Sequence, residues 1–197
     1  MSTLILRPTN LHWLSALGVR ATPPHDPLDL CAHSPVDFRI GDQVIVAPSD
    51  GVWSVSASAI YLLRTLSMPH TRNSQVGEHL FPHCGSGIFD VEDSEDALIV
   101  GCSAGIDVQV TRAGDDAVVK TYDGRSFSVP FSAWTRAVCA FSDRVFAFYQ
   151  REPPRQPHDE GDRGGFQKMM AEWSRRRLAA EGGGGASGPA PTLRLVR

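Results

Sequence analysis

The residues best suited to chemistry in this chain lie between His79 and Cys102. His79-x-x-x-His83-Cys84, with Cys102 as a fourth member, brings together imidazole and thiol groups. Both are good zinc ligands, and a closed tetrahedral site needs four of them. Cys102 closes a strand-like segment, so the connection before it can fold His83-Cys84 back alongside. Two features count against the site. Pro82 excludes the regular helix on which His-x3-His usually works, and there is no Cys-x-x-Cys knuckle. The competing reading is a pair of loop histidines beside a semi-buried thiol. Cys31-x-His33 is a fainter hint of the same kind. A thiol nucleophile at Cys84 would need a base positioned in space. Adjacent residues of an extended segment point apart, and no Asn or Asp partner is identifiable.

A second group is acidic: Asp90, Glu92, Asp93, Glu95 and Asp96, set between two apolar segments. It lacks the glycine-containing spacing of a calcium loop, so a metal role is a poor fit. It suits a surface that meets a cationic patch on a protein partner, and equally an exposed hairpin loop. The whole chain supports the acidic theme unevenly. Residues 1–150 carry 10 Lys+Arg against 16 Asp+Glu, a net of −6, while residues 151–197 carry 9 against 6, a net of +3. An acidic core argues against phosphate-backbone binding, and three clustered arginines at 175–177 are too few to reverse that. Complementary fields would favour a basic partner; ordinary solubility charge explains the same numbers.

These residues must be positioned by something, and the pattern from residue 97 onward supplies it. Residues 97–102, 106–112, 116–122 and 126–129 read as short strands. The turns Ala113-Gly114-Asp115 and Asp123-Gly124 make them an antiparallel meander. The period then changes. Trp134, Ala137, Val138, Phe141, Val145 and Phe148 recur at helical spacing over 131–149, with Ser132 as the candidate cap. Such a helix is about 27 Å long, and Phe141→Asp is expected to unfold the domain. Earlier, a short helical turn is expected at 11–17 and an irregular wrap at 22–35. Two strands should meet at Gly41-Asp42, another short strand is expected at 52–55, and a helix over 56–68 should bury Ile60, Leu63 and Leu62 or Leu66 before Pro69 ends it.

Residues 151–165 lack periodic apolar positions and read as a linker. Phe166, Met169, Met170 and Trp173 mark a face of a helix over 166–181 that docks on the core. Residues 182–197 read as a disordered, Gly-rich tail. The expected fold is therefore α+β: one domain over 1–150, an antiparallel meander sheet packed by two or three helices. No apolar run reaches a membrane span, and no signal peptide is evident. The four cysteines then read as reduced thiols of a cytoplasmic protein. Beyond possible zinc, no cofactor is implied. No Walker loop, dinucleotide glycine motif, Gly-x-Ser-x-Gly elbow or His-Glu-x-x-His motif occurs.

The series Pro82-His83-Cys84-Gly85, Val100-Gly101-Cys102, Gly105-Ile106-Asp107-Val108, Asp123-Gly124 and Asp162-Arg163…Phe166…Trp173 resembles small bacterial α+β proteins to which no activity is attached. Proteins of that kind are similar in size and acidity to the immunity proteins of bacterial toxin systems. The leading expectation is a non-enzymatic protein-binding module, most concretely an immunity protein that occludes a basic toxin surface, with Asp90, Glu92, Asp93, Glu95 and Asp96 at the contact on the strength of their charge alone. The resemblance assigns no residue a catalytic role. The alternatives are a zinc-binding domain or small zinc enzyme using His79, His83, Cys84 and Cys102, and a structural subunit docking through the 166–177 helix.

Overall fold

The computed structural model describes residues 3–14, 27–85 and 87–182. Its first sheet is β1 (Leu4–Pro8), β3 (Val36–Ile40) and β4 (Gln43–Val46), antiparallel in the order β1-β3-β4. Gly41, at φ 59°, makes the turn at the expected place. Two short strands, β2 (His33–Ser34) and β5 (Trp53–Ser54), pair beside it. Residues 11–14 do not begin a helical turn. His12 and His33 exchange backbone hydrogen bonds of 2.9 and 2.8 Å, and this pairing outweighs the weak local helix preference. Residues 15–17 and 22–26 lie outside the described residues.

Helix α1 (Val55–Arg64) follows β5 directly, and all ten of its residues are buried. The spacing of Ile60, Leu63 and Leu66 had implied one buried face and an end at Pro69. Instead α1 runs through the interior with α2, α3 and short strands around it. It closes at Thr65, whose hydroxyl donates to the Leu62 carbonyl and accepts the Trp134 indole N–H.

The next strands are β6 (Phe81–Pro82), β7 (Gly87–Phe89), β8 (Leu98–Val100) and β9 (Gly105–Ile106). Then come β10 (Val108–Ala113), β11 (Asp116–Thr121) and β12 (Ser126–Pro130), a meander in the order β10-β11-β12. The meander has three strands where four were expected. Residues 98–100 pair with β7 instead, and the outer edge of β10 is taken by a bridge from His70 to Val110.

Helix α2 (Phe131–Arg151) starts straight after β12. Ser132 is not its cap: Pro130 holds that position, and the Phe131 N–H donates to the Asp115 carbonyl at 2.7 Å. Trp134, Val138, Phe141 and Val145 are buried as expected, but so are Ser142, Phe146 and Tyr149. The second set faces α3 (Glu160–Gly182): Trp173 lies edge-on to Phe146 and Tyr149 and donates its indole N–H to Ser142. Phe166, Met169, Met170 and Trp173 are all buried against the core, each worth roughly 1.5–3 kcal/mol relative to exposure.

The linker is shorter than 151–165 because α3 begins earlier than its apolar stripe. Asp159 caps it, accepting the Asp162 N–H at 2.9 Å, and the helix runs through Gly161, Gly164 and Gly165. Tertiary contact overrides the glycines' poor propensity. A Cβ on Gly165 would sit 1.9 Å from the Ile88 carbonyl oxygen, so only glycine lets α3 lie this close to β7. The remaining linker is laid on the core, with Arg155 over the Trp13 ring and the Gln156 N–H bonded to the Pro27 carbonyl. Helix α3 is described as far as Gly182, and 183–197 lie outside the described residues. No helix among the described residues is long and apolar enough to cross a membrane.

Candidate functional site

β6–β9 and β7–β8 are two lengths of one antiparallel ribbon. Phe81 lies opposite Ile106, Pro82 opposite Gly105, the His83 N–H donates to the Ala104 carbonyl, and Gly87 lies opposite Val100. One register passes through both pieces; the described residues between them, 84–85 and 101–103, are not in strands. The ribbon's edges are covered: the Ile88 carbonyl faces Gly165 of α3, and the Ile99 carbonyl accepts the Tyr61 hydroxyl at 3.1 Å. Ile88 and Ile99 point inward and are buried. The opposite face carries Phe89, Leu98 and Val100, which are 51%, 49% and 45% exposed, with Val91 (38%) following. Strand alternation puts three large apolar side chains together in solvent, an unusual density for a ribbon this short.

The break in the ladder gathers the thiols. Where β pairing lapses, the Cys102 N–H donates to the Cys84 sulfur at 2.7 Å, so a side chain takes the place of a strand carbonyl. Gly85 and Gly101 flank the cysteines, and a Cβ on Gly101 would fall 2.1 Å from the Cys84 carbonyl oxygen. The His83 Nδ1 stands 3.7 Å from the Cys102 sulfur, and the ligand atoms of His83, Cys84 and Cys102 all lie within 4.8 Å of one another. His83 is exposed and both cysteines are half-buried. Burial, foremost, raises the Cys84 thiol, while hydrogen bonding from Cys84, foremost, with a contribution from His83, brings Cys102 down to about 7. One thiol thus holds its proton and stabilises the other as thiolate.

His79 is not part of this group. The segment is extended, so four residues span roughly 13 Å rather than the single turn of a helix. Its ring packs on Gly105, and its Nδ1 is buried with no hydrogen-bond partner. Cys31 is fully enclosed and donates to the Gly85 carbonyl, and burial raises its thiol far above the ordinary range. Its neighbour His33 stands 3.5 Å from Asp29. That pair is interior packing.

At the ribbon's other end the acidic run is largely spoken for. Asp90 pairs with Lys168 at 2.6 Å, Asp96 with Arg175 and Arg176 at 2.5 and 2.6 Å, and Glu95 with Arg175 at 3.5 Å. Glu92 and Asp93 are exposed on the connecting loop, Asp93 at φ 60°. Behind the run sits a residue that sequence reasoning missed. Glu172, fully buried, takes Arg64 through both oxygens at 2.7 and 2.8 Å, and also accepts Arg176 Nε and the Ala97 N–H. Arg64 completes its fork on the Val76 and Ala97 carbonyls. A glutamate between Met169 and Trp173, on the buried side of an amphipathic helix, was the available signal.

Asp107 is a smaller hub, accepting His70 Nε2 at 2.8 Å and the Leu80 N–H at 3.1 Å. Burial pulls its carboxyl upward, but these hydrogen bonds outweigh it and hold the group below its ordinary range. No protein-family model, no curated protein and no solved structure matches this chain.

Proposed function

We propose that this chain is a protein-binding module that docks a basic protein through the outer face of the β7–β8 ribbon; a toxin-neutralising immunity protein is its most concrete form. The observation that carries the reading is the exposed trio Phe89, Leu98 and Val100 on a ribbon whose edges and inner face are already covered. Apolar residues of this size supply affinity when a partner desolvates them. Charge then selects the partner. Asp90 and Asp96 are held by α3, so the acidic contribution falls chiefly on Glu92 and Asp93 at the tip, with the more loosely paired Glu95 beside them. These charges set association rate and salt dependence more than affinity. The apolar stripe of α3 is buried within the chain, so a subunit role through that helix is less well supported.

The test is native mass spectrometry of the untagged protein from its own cells, followed by binding kinetics with the copurifying chain. One stoichiometric basic partner, lost in Phe89→Ser/Leu98→Ser while helix content and thermal midpoint hold, is the expected result. Partner binding unchanged by that double variant removes the ribbon face from the argument. A homodimer that the same variant dissolves replaces the hetero-partner reading with self-association.

A further inference from the structure

We infer that His83, Cys84 and Cys102 form a zinc-class metal site, closed on three sides by protein and on the fourth by solvent. The site goes beyond the docking reading and does not depend on it.

Bond lengths of about 2.3 Å to sulfur and 2.0–2.1 Å to nitrogen give a tetrahedral sulfur-to-nitrogen edge of about 3.6 Å. The Cys102 sulfur and His83 Nδ1 stand 3.7 Å apart, so this edge needs almost no movement. All three ligand atoms already lie within 4.8 Å of one another, leaving only small rotations about exposed or half-buried side chains. Two thiolates and an imidazole select soft or borderline cations over magnesium or calcium, which take oxygen ligands. They also neutralise a divalent charge with no carboxylate needed.

The backbone is placed to support Cys84 once a metal has taken it as thiolate. The Cys102 N–H points at Cys84 Sγ at 2.7 Å, the kind of hydrogen bond that orients a ligand and spreads its charge. The interrupted ladder is what frees that amide, and Gly101 lets the backbones approach closely enough to use it. On both sides the register fixes the geometry, at His83–Ala104 and at Gly87–Val100. The cluster therefore sits on paired strands rather than on a free loop. His79 and Cys31 stand outside it, which leaves the fourth position to water. On binding, Cys84 and the fraction of Cys102 still protonated give their protons to solvent or buffer, and no oxidation is involved.

The experiment uses the untagged full chain, reduced and metal-free, titrated with cobalt(II) and then with zinc(II). Cobalt stands in because zinc has no visible spectrum. The expected result is one equivalent bound, with thiolate-to-cobalt charge-transfer absorption and the intense visible bands of a tetrahedral centre, bleached when zinc displaces the cobalt. Cys102→Ser and His83→Ala, both at accessible positions, should each lose or alter that spectrum while keeping native circular dichroism. Cys139→Ser and His79→Ala should retain it. No thiolate–cobalt absorption in excess metal overturns the proposal. So does a spectrum unchanged in both Cys102→Ser and His83→Ala, which would place the metal elsewhere.

Discussion

The two ends of the β7–β8 ribbon carry the two charged or reactive clusters that stand out in the sequence, and the fold treats them in opposite ways. At the acidic end, Asp90 and Asp96 are matched by Lys168, Arg175 and Arg176 of α3, and the buried Glu172 ties Arg64, Arg176 and the Ala97 backbone together. At the thiol end, His83, Cys84 and Cys102 face solvent or one another. The first cluster is chiefly a means of docking a helix, and the second is left over from folding. An uneven charge distribution along a chain can be solved internally, so an acidic run does not by itself announce a partner. A group that the fold leaves partly unsatisfied is the better functional lead.

The sharpest way to break this contrast is Glu172→Ala. Removing one partner of a buried, multiply bonded ion pair costs roughly 3–5 kcal/mol, because Arg64 is left uncompensated in the interior. Urea denaturation should show that loss, together with fraying of α3. A variant as stable as the parent would mean that the acidic end is not what holds the helix. Gly165→Val probes the same docking from the backbone side. Helix propensity alone favours replacing the glycine, yet the 1.9 Å approach of a Cβ to the Ile88 carbonyl oxygen predicts destabilisation of roughly 1–3 kcal/mol. The sign of the change decides between propensity and packing.

Much of this frame was legible in the sequence for local reasons. The turns at Gly41, Gly114 and Gly124 and the period change after Pro130 are signals written within a few residues. What was hidden is long-range. β7 is three residues long, too short to show a period, and exists because it pairs with β8 and lies under α3. The start of α3 was masked by glycines whose reason is the β7 backbone. Glu172 has its main partner 108 positions away. At the thiol site, the approach of Cys102 to His83-Cys84 followed from the chain folding back, whereas His79 was included on a helical spacing that an extended strand does not provide. Phe89, Leu98 and Val100 had no signature, since exposure of alternate residues depends on what covers the other face.

The thiol end is sharpened by reactivity. Cys102, brought down to about 7, is already substantially thiolate at neutral pH, while Cys84 and Cys139 are raised by burial. Brief iodoacetamide treatment, followed by peptide mass spectrometry, should label Cys102 first, with a rate that climbs through about pH 7 and levels above it. Bound zinc should suppress the labelling. Equal labelling of Cys139 would remove the distinction between the two environments.

The smallest effect is expected at the acidic end, from titration rather than truncation. Burial pulls the Asp96 carboxyl upward, but Arg176, Arg64 and Arg175 outweigh it and hold its folded value below 3.8. A depressed folded value means that its contribution to stability is complete above the unfolded value and fades as pH falls through the folded one. Asp96→Asn should therefore lower the thermal midpoint near neutrality and converge with the parent at strongly acid pH. The group is partly exposed, so screening by water and salt keeps the difference modest. Convergence ties the acidic end to α3 docking. A constant offset across the pH range would instead mean that Asp96 acts through packing or through its hydrogen bonds to Arg175 and Arg176 in a form the asparagine cannot reproduce, and the charge contrast between the two ends of the ribbon would lose its energetic basis.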